Sequence, residues 1–340
     1  MAHVMDASVT LRPYVPRLLI QWLVDAPGTT YREIDGTIVF IDVSGFTSMS
    51  ERLARRGKEG AEEVTDVIGA VFTRLLSVAY GNGGGLLKFG GDALLLMFTG
   101  DDHAGKATRA AVGMRRTLRE IGNVVTSAGK VSLRMSVGAH SGTFQTFLVG
   151  GSHRELLLTG PAVTRTVAME STAAAGEILV STETASLLPQ KTLGEPKGDG
   201  ILVRREPAGL ALDAVETEVA LEGVDVLSCI PVGLREHLLS GSFGPEHRIV
   251  TVAFVHFDGI DGLIADQGAD AVSFGLQELM TSVQRSAEKH GVSILGSDID
   301  ADGGKIILVS GAPQAQEDDE ERMLLTLRAI IDAETVVPIR

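Results

Sequence analysis

The sequence lacks the disulfides, membrane-spanning segments and secretory signals that are typical of secreted and membrane proteins. Its 340 residues contain one cysteine, Cys229, so no disulfide can form within the chain. No apolar run approaches the ~20 residues that a membrane-spanning helix needs. The first residues carry Asp6, Arg12, Arg17 and Asp25, which a secretory signal would lack. We therefore expect a cytoplasmic protein that does not cross a membrane.

Basic residues are in the minority. The chain has 30 Lys and Arg against 44 Asp and Glu, which gives a formal net charge of −14. Such a surface repels DNA, RNA and anionic lipid headgroups, so neither nucleic acid nor membrane is an expected partner, although a local basic site for a nucleotide is compatible with it. A hydrophobic content of 44% and a charged content of 22% indicate globular domains, and the length suffices for two.

Two aspartates mark the most informative stretch, residues 36–100. Asp42 ends a short apolar strand, and Asp92 follows a glycine-rich turn and precedes a second apolar strand, 93–98. One such aspartate alone is most often a cap of a turn or helix. Two strands side by side, however, would bring both carboxylates to one end of a sheet, where hard oxygen ligands suit Mg²⁺. The pair therefore predicts a metal site.

The turn after Asp42 is a candidate for phosphate binding. It consists of Val43, Ser44, Gly45, Phe46 and Thr47. A strand gives way to a helix here, and the backbone N–H groups at a helix start hold phosphate oxygens. An ordinary strand–helix turn is compatible with the same residues. Phe46 can pack beneath a nucleotide or in the core.

The order of predicted elements indicates an α+β, ferredoxin-like fold with helices on one face of a mainly antiparallel sheet. The predicted helices of the first domain are 46–56, 58–80, 102–121 and 161–172. The predicted strands are 36–42, 85–89, 93–98, 131–139, 143–149, 155–159 and 177–181. Helix 58–80 carries an apolar stripe at i, i+3, i+4 spacing.

A second copy of this pattern follows, and the first is preceded by a short apolar helix. We expect an N-terminal docking helix within 1–33 that covers the first domain, 34–185, an ordered connector over 186–246 and a second domain over 247–340. The repeat comprises strand 249–257, helix 267–289, strands 292–297 and 304–310, and helix 317–332. Residues 337–340 line up with 131–134, so the second copy stops as its fourth strand begins, and we expect the chain to be the front of a longer protein.

The motifs around both aspartates resemble those of the class III adenylyl and guanylyl cyclases, F-x-D-x-x-G-F-T and K-x-x-G-D. They read Phe40-Ile41-Asp42-Val43-Ser44-Gly45-Phe46-Thr47 and Lys88-Phe89-Gly90-Gly91-Asp92. The resemblance implies a ferredoxin-like cyclase domain that converts ATP, or less expectedly GTP, to the 3′,5′-cyclic nucleotide. It also implies two Mg²⁺ or Mn²⁺ ions held by Asp42, Val43 and Asp92, with both aspartates catalytic. Diguanylate cyclases share a G-G-D/E-E-F turn, but here the turn continues with alanine and leucine.

The same resemblance places base-reading or regulatory residues in a second pocket, for which the candidates are Lys88, Glu155 and Arg165. It also exposes departures from the family pattern. Thr164 replaces the asparagine that orients the ribose, and Ala168 replaces the arginine that stabilises the transition state. Arg165 is offset by three residues, on the wrong helix face to substitute.

Further departures occur in both copies. Ser136 stands where the family usually has an arginine, with Arg134 two residues further back. In the second copy, His256 and Gly303 occupy the two metal positions. Four nearby acids are out of register: Asp258, Asp298, Asp300 and Asp302.

The complementary losses in the two copies resemble those of the tandem soluble adenylyl cyclases. The resemblance implies that the two copies pair within the chain, with an effector domain following in a longer protein, and that this chain alone is inactive. The alternatives are a guanylate cyclase and a non-catalytic nucleotide-binding module that regulates a larger signalling protein.

Overall fold

The computed structural model describes residues 2–208, 224–240 and 248–340. The chain divides into two compact units. The first unit comprises residues 34–143 and 165–217, and the second comprises residues 1–33, 144–164 and 218–340. Parts of the predicted connector, 209–223 and 241–247, lie outside the described residues.

The helices and strands occur in the following order along the chain. The helices are α1 (Ala2–Leu11), α2 (Arg17–Asp25), α3 (Phe46–Ala54), α4 (Lys58–Tyr80), α5 (His103–Ile121), α6 (Pro161–Thr172), α7 (Thr182–Ser186), α8 (Val232–Leu239), α9 (Ile260–Gln267), α10 (Ala269–His290) and α11 (Asp319–Ile331). The strands are β1 (Tyr31–Ser44), β2 (Gly85–Gly90), β3 (Ala93–Thr99), β4 (Asn123–Thr126), β5 (Gly129–Ser132), β6 (Arg134–Val149), β7 (Glu155–Thr159), β8 (Ile178–Ser181), β9 (Leu193–Lys197), β10 (Gly200–Val203), β11 (Thr251–Phe257), β12 (Ser293–Asp300) and β13 (Gly303–Ser310).

One mixed sheet forms the framework of the first unit. Its strand order is β2-β3-β1-β6-β8-β10-β9. β1 and β3 are antiparallel, with Asp42 opposite Ala93, and β6 runs parallel to β8. Helices α3, α4 and α5 supply apolar side chains to its core. The predicted stripe on α4 faces that core, because Val71 and Leu75 are buried and Val64, Val67, Ile68 and Leu76 pack against it.

The second unit has a three-stranded sheet in the order β11-β13-β12. Helix α10 covers it with a fully buried stripe of apolar residues: Val272, Leu276, Leu279 and Val283. The hairpin of β6 and β7 joins the same core through Phe147, Val149 and Leu157. The predicted helix 267–289 corresponds to α10. A second helix, α9, precedes it, and Gly268, with a φ of +81°, separates the two.

The N-terminal helix groups with the second unit, which also contains residues 144–164 of the predicted first domain, so its covering of that domain stays a prediction. α1 contacts α8 and the turn at 226–229. Trp22 of α2 is buried, and its Nε1 donates to Thr29 Oγ1 at 2.8 Å. Arg32 lies over the indole ring, 5.7 Å from its centroid. The buried face of α2 is apolar, as the helical spacing indicated.

Two local predictions need correction. The separate strands at 131–139 and 143–149 are one strand of 16 residues, β6, and it is preceded by the β4–β5 hairpin. Gly142 does not make a turn, because the backbone stays extended through it. The connector also begins later than 186, since β9 and β10 extend the first unit's sheet beyond β8. Pro196 is tolerated in β9 because that strand forms the sheet edge.

Candidate functional site

The first unit brings the two predicted catalytic carboxylates together at one edge of its sheet. Asp42 lies near the end of β1, two residues before Ser44, and Asp92 sits in the turn between β2 and β3. The Val43 N–H donates to the Asp92 backbone carbonyl at 3.1 Å, which ties the two strand ends. Thr47 Oγ1 donates to Asp92 Oδ2 at 3.4 Å. Asp42 and the turn that holds Asp92 therefore lie at the ends of adjacent strands, and the turn 43–47 is beside them.

The charge of this pair is poorly compensated. Burial, and then the negative charges of Asp92 and Glu170, raise the pKa of Asp42 to about 6. Among the described residues, none of the groups that shift the pKa of Asp42 is positively charged. A divalent cation bound by both aspartates would supply the compensating charge, and hard carboxylate oxygens are its usual ligands. The residues present therefore fit Mg²⁺ or Mn²⁺, with Asp42, Val43 and Asp92 as the candidate ligands.

Glu170 is the acidic neighbour that the sequence did not predict. It lies on α6, and its pKa is raised by burial, although Ser136 Oγ donates to its Oε1 at 2.7 Å. α6 can approach β6 this closely because position 138 is glycine. A Cβ there would lie 2.1 Å from the Glu170 backbone nitrogen. The sequence signal for this close approach was a pair of small residues at alternate positions of one strand, Ser136 and Gly138.

The turn 43–47 has the geometry of a strand-to-helix transition. Gly45 has a φ of +102°, and α3 begins at the next residue. The first N–H groups of a helix have no intrahelical partner, so those of α3 are available to an anion. Ser44 Oγ donates to the Arg134 carbonyl at 3.3 Å. Phe46 packs edge-on against Phe72, with 5.7 Å between ring centroids, and so belongs to the core.

The three second-pocket candidates fall in different parts of the structure. Lys88 and Arg165 belong to the first unit and Glu155 to the second, so their common pocket stays a prediction. Arg165 lies 4.0 Å from Glu183 and 3.7 Å from Asp199, which compensate its charge. Glu155 is buried and accepts a hydrogen bond from Ser297 Oγ at 2.5 Å.

The positions that depart from the cyclase pattern carry short side chains. Ala168 lies exposed on α6, where it presents only a methyl group. Thr164 Oγ1 accepts a hydrogen bond from the Asp302 N–H at 2.8 Å, so this hydroxyl is engaged within the second unit. Neither residue offers the amide or guanidinium of the family pattern.

The acids of the second copy have partners of their own. His256 lies 3.1 Å from Asp300, Lys305 3.0 Å from Asp298, and Arg340 3.2 Å from Asp258. The Asp302 carboxylate accepts from the N–H groups of 259 and 261. Over the ranges that the structure describes, no three or more His, Cys, Asp and Glu side chains group as a metal cluster. A helix long and apolar enough to cross a membrane is likewise not found there.

Residues 30–207, just over half of the chain, match the family model of the adenylate and guanylate cyclase catalytic domain, and the chain belongs to this family. The match confirms the predicted class III cyclase domain and its mixed α+β fold. A membrane guanylyl cyclase of Dictyostelium discoideum is 29% identical over 177 residues, which is 50% of this chain and 11% of that protein. Adenylate cyclase type 10 of Rattus norvegicus is 30% identical over 94 residues, 27% of this chain and 6% of that protein.

A solved structure of the guanylyl cyclase Cya2 is also similar. It shares 29% identity, covers 54% of this chain and 98% of its own, and superposes with a TM-score of 0.43. The chain thus spans a small fraction of the curated relatives, and both adenylyl and guanylyl cyclases are among the similar proteins.

Proposed function

We propose that the first unit is the metal- and phosphate-binding half of an adenylate cyclase, which converts ATP to 3′,5′-cyclic AMP and pyrophosphate. The observation that supports this most is the Asp42–Asp92 pair, uncompensated and adjacent to a helix start. The choice of ATP over GTP rests on the resemblance to tandem soluble adenylyl cyclases. In that arrangement the two copies in this chain pair with each other.

The roles of the residues follow from their positions. Asp42 and Asp92 would hold a divalent ion, which when bound would lower the pKa of the ribose 3′-hydroxyl and neutralise phosphate charge. Thr47 orients the Asp92 carboxylate through its hydroxyl. The backbone N–H groups of residues 44–47 bind the β- and γ-phosphates and hold the triphosphate in line with the attacking oxygen.

The 340 residues lack two donors that such a reaction uses. Thr164 and Ala168 provide neither an amide to the ribose nor a guanidinium to the α-phosphate. Losing one preorganised donor costs about 10²–10³ in rate. We therefore expect turnover near background from this polypeptide by itself. A second candidate function, which this loss favours, is a nucleotide-binding regulatory module that does no chemistry.

The test is a pair of measurements on the same preparations. Cyclic AMP and cyclic GMP are assayed with Mn²⁺ and ATP or GTP, and binding of each nucleotide is measured by calorimetry. The variants are Asp42→Asn and Asp92→Asn, with Asp101→Asn, an exposed aspartate after β3, as the matched control. Binding of Mg·ATP that both site variants lose and the control keeps supports the site.

The assay separates the candidate functions. Cyclic AMP made by the wild type and lost in both site variants supports the cyclase. Binding without product is the result that both candidates predict for this chain, because Thr164 and Ala168 supply neither donor, so only formation of the cyclic nucleotide separates them. Preferential binding or cyclisation of GTP would mean that the enzyme is a guanylate cyclase. Nucleotide binding that survives both substitutions would overturn the assignment of the aspartates.

A further inference from the structure

A cavity of about 510 Å³ lies in the first unit, away from the aspartate pair. Its wall includes the last turns of α5, the start of β6 and the loop 173–177. Three arginines from two of these elements line it, Arg115, Arg119 and Arg134. Neither the two aspartates nor the turn 43–47 contributes to its lining. The volume is that of a typical small-molecule site.

The three arginines are not compensated by acids. Arg115 is half-buried, and its Nη1 donates to the Gly176 carbonyl at 3.3 Å. Burial and the charge of Arg119, one turn further along α5, both lower the pKa of Arg115, so two like charges lie near each other on this wall of the cavity. Within the described ranges, none of the three pairs with a carboxylate. Arg116, one residue along the helix, instead lies 3.6 Å from Glu206.

The acid in the lining is already engaged elsewhere. Glu177 accepts a hydrogen bond from the Ala174 N–H at 2.8 Å and pairs with the ammonium group of Lys197. These contacts lower the pKa of Glu177, so that its carboxylate stays ionised. The positive charge of Lys197 offsets the negative charge of that carboxylate. The cavity therefore keeps a net positive lining on a chain whose formal charge is −14.

We propose that this cavity binds a small anion that carries two or more phosphate groups. Guanidinium groups bind phosphate oxygens through paired hydrogen bonds, and a cavity lined by three arginines can offer such bonds to more than one phosphate. A bound polyphosphate would remove the repulsion between Arg115 and Arg119. This site is separate from the proposed nucleotide site and does not depend on the cyclase reaction.

The position of the cavity connects it to the turn 43–47. Ser44 Oγ donates to the carbonyl of Arg134, and a Cβ on Gly45 would lie 3.0 Å from the Ser132 carbonyl. Residues 132 and 134 line the cavity. An anion that fixes residues 132–134, between β5 and β6, therefore also restrains the turn 43–47. We expect slower hydrogen exchange at residues 43–47 in its presence.

The test measures pyrophosphate binding to the full chain in the presence of EDTA, by calorimetry, with inorganic phosphate as a comparison. We expect one site per chain, weaker at higher salt. Arg119→Met and Arg134→Met, at exposed side chains, should each weaken binding about tenfold, as loss of a charged hydrogen bond does. Arg116→Met is the matched control on the same helix, and Asp42→Asn should also bind normally.

Three results would overturn the proposal. The first is the absence of binding at millimolar pyrophosphate. The second is an equal loss in the Arg116→Met control, which would indicate a general effect of charge. The third is loss of binding in Asp42→Asn with retention in Arg119→Met, which would assign the anion to the aspartate site. Inorganic phosphate binding as tightly as pyrophosphate would contradict the requirement for two phosphate groups.

Discussion

Thr164 Oγ1 accepts a hydrogen bond from the backbone N–H of Asp302, with 2.8 Å between the atoms. The Asp302 carboxylate in turn accepts from the N–H groups of Gly259 and Asp261. Thr164, where the resemblance predicted an asparagine, therefore helps to hold the turn around Asp302 in place. Its hydroxyl serves the structure of the second unit.

The Thr164 contact predicts a loss of stability when the hydroxyl is removed. Thr164→Val leaves the Asp302 N–H without its acceptor, which we expect to lower the free energy of unfolding by about 1–2 kcal/mol. Thr164→Ser retains the hydroxyl and should behave like the wild type. Denaturant unfolding can be followed by the fluorescence of Trp22, which is buried in the second unit. Equal midpoints for the valine and serine variants would contradict the prediction.

The aspartate pair predicts opposite effects with and without metal. Without divalent ions, Asp42→Asn removes a carboxylate whose pKa is raised by burial and then by the charges of Asp92 and Glu170, and it should stabilise the chain by ~1 kcal/mol after allowance for solvent screening. With millimolar Mg²⁺ or Mn²⁺, the wild type should gain thermal stability and the variant should not. Thermal denaturation with and without metal measures both effects. A metal-induced rise that persists in Asp42→Asn would argue against a shared site.

Two glycines predict contrasting responses to the same substitution. Gly138→Ala would place a Cβ 2.1 Å from the Glu170 nitrogen, so α6 must move and we expect a loss of more than ~2 kcal/mol. Gly69→Ala lies within α4 with no atom near its added Cβ, and should gain ~0.5–1 kcal/mol. Chemical denaturation of both variants provides the comparison. A stable Gly138→Ala would mean that α6 does not need its close approach to β6.

His153 predicts acid sensitivity of the second unit. Burial lowers its pKa below 6.5 despite the nearby charges of Glu155 and Glu288. The unfolded chain then binds more protons than the folded chain below about pH 6.5, so stability is full above that pH and falls as the solution is acidified. His153→Gln should flatten the dependence of unfolding free energy on pH between 7 and about 5.5. His237→Gln, on α8, serves as the control, and an unchanged slope in His153→Gln would contradict the role.

The parts of the fold that the sequence could predict are those that depend on local spacing. The stripe on α10 recurs at helical intervals, so the spacing of Val272 and Leu276 was enough to assign both to a core. The proximity of Asp42 and Asp92 was expected if the two apolar strands lie side by side, and β1 and β3 do pair in the structure. The helix stripe needs only neighbours along one element, whereas this strand pairing joins residues that are distant in the sequence.

The remaining features depend on contacts between distant segments. β9 and β10 fell within the predicted connector, where prolines separate short stretches, and only the pairing of β10 with β8 and of β9 with β10 makes them strands. Glu170 could not be placed beside Asp42 without knowing how closely α6 packs on Gly138. The arginine cavity combines residues from α5, β6 and a loop, and no sequence motif joins them.

The length of β6 makes its alignment sensitive at both of its ends. Val137 and Ala139 are buried in the core of the first unit, whereas Phe147 and Val149 are buried in the core of the second. All four are odd-numbered positions of the same strand. A slip of a single residue would turn these side chains to the opposite face of the strand at both places at once. An error in the pairing of β6 at one end would therefore also disturb the packing of its side chains at the other.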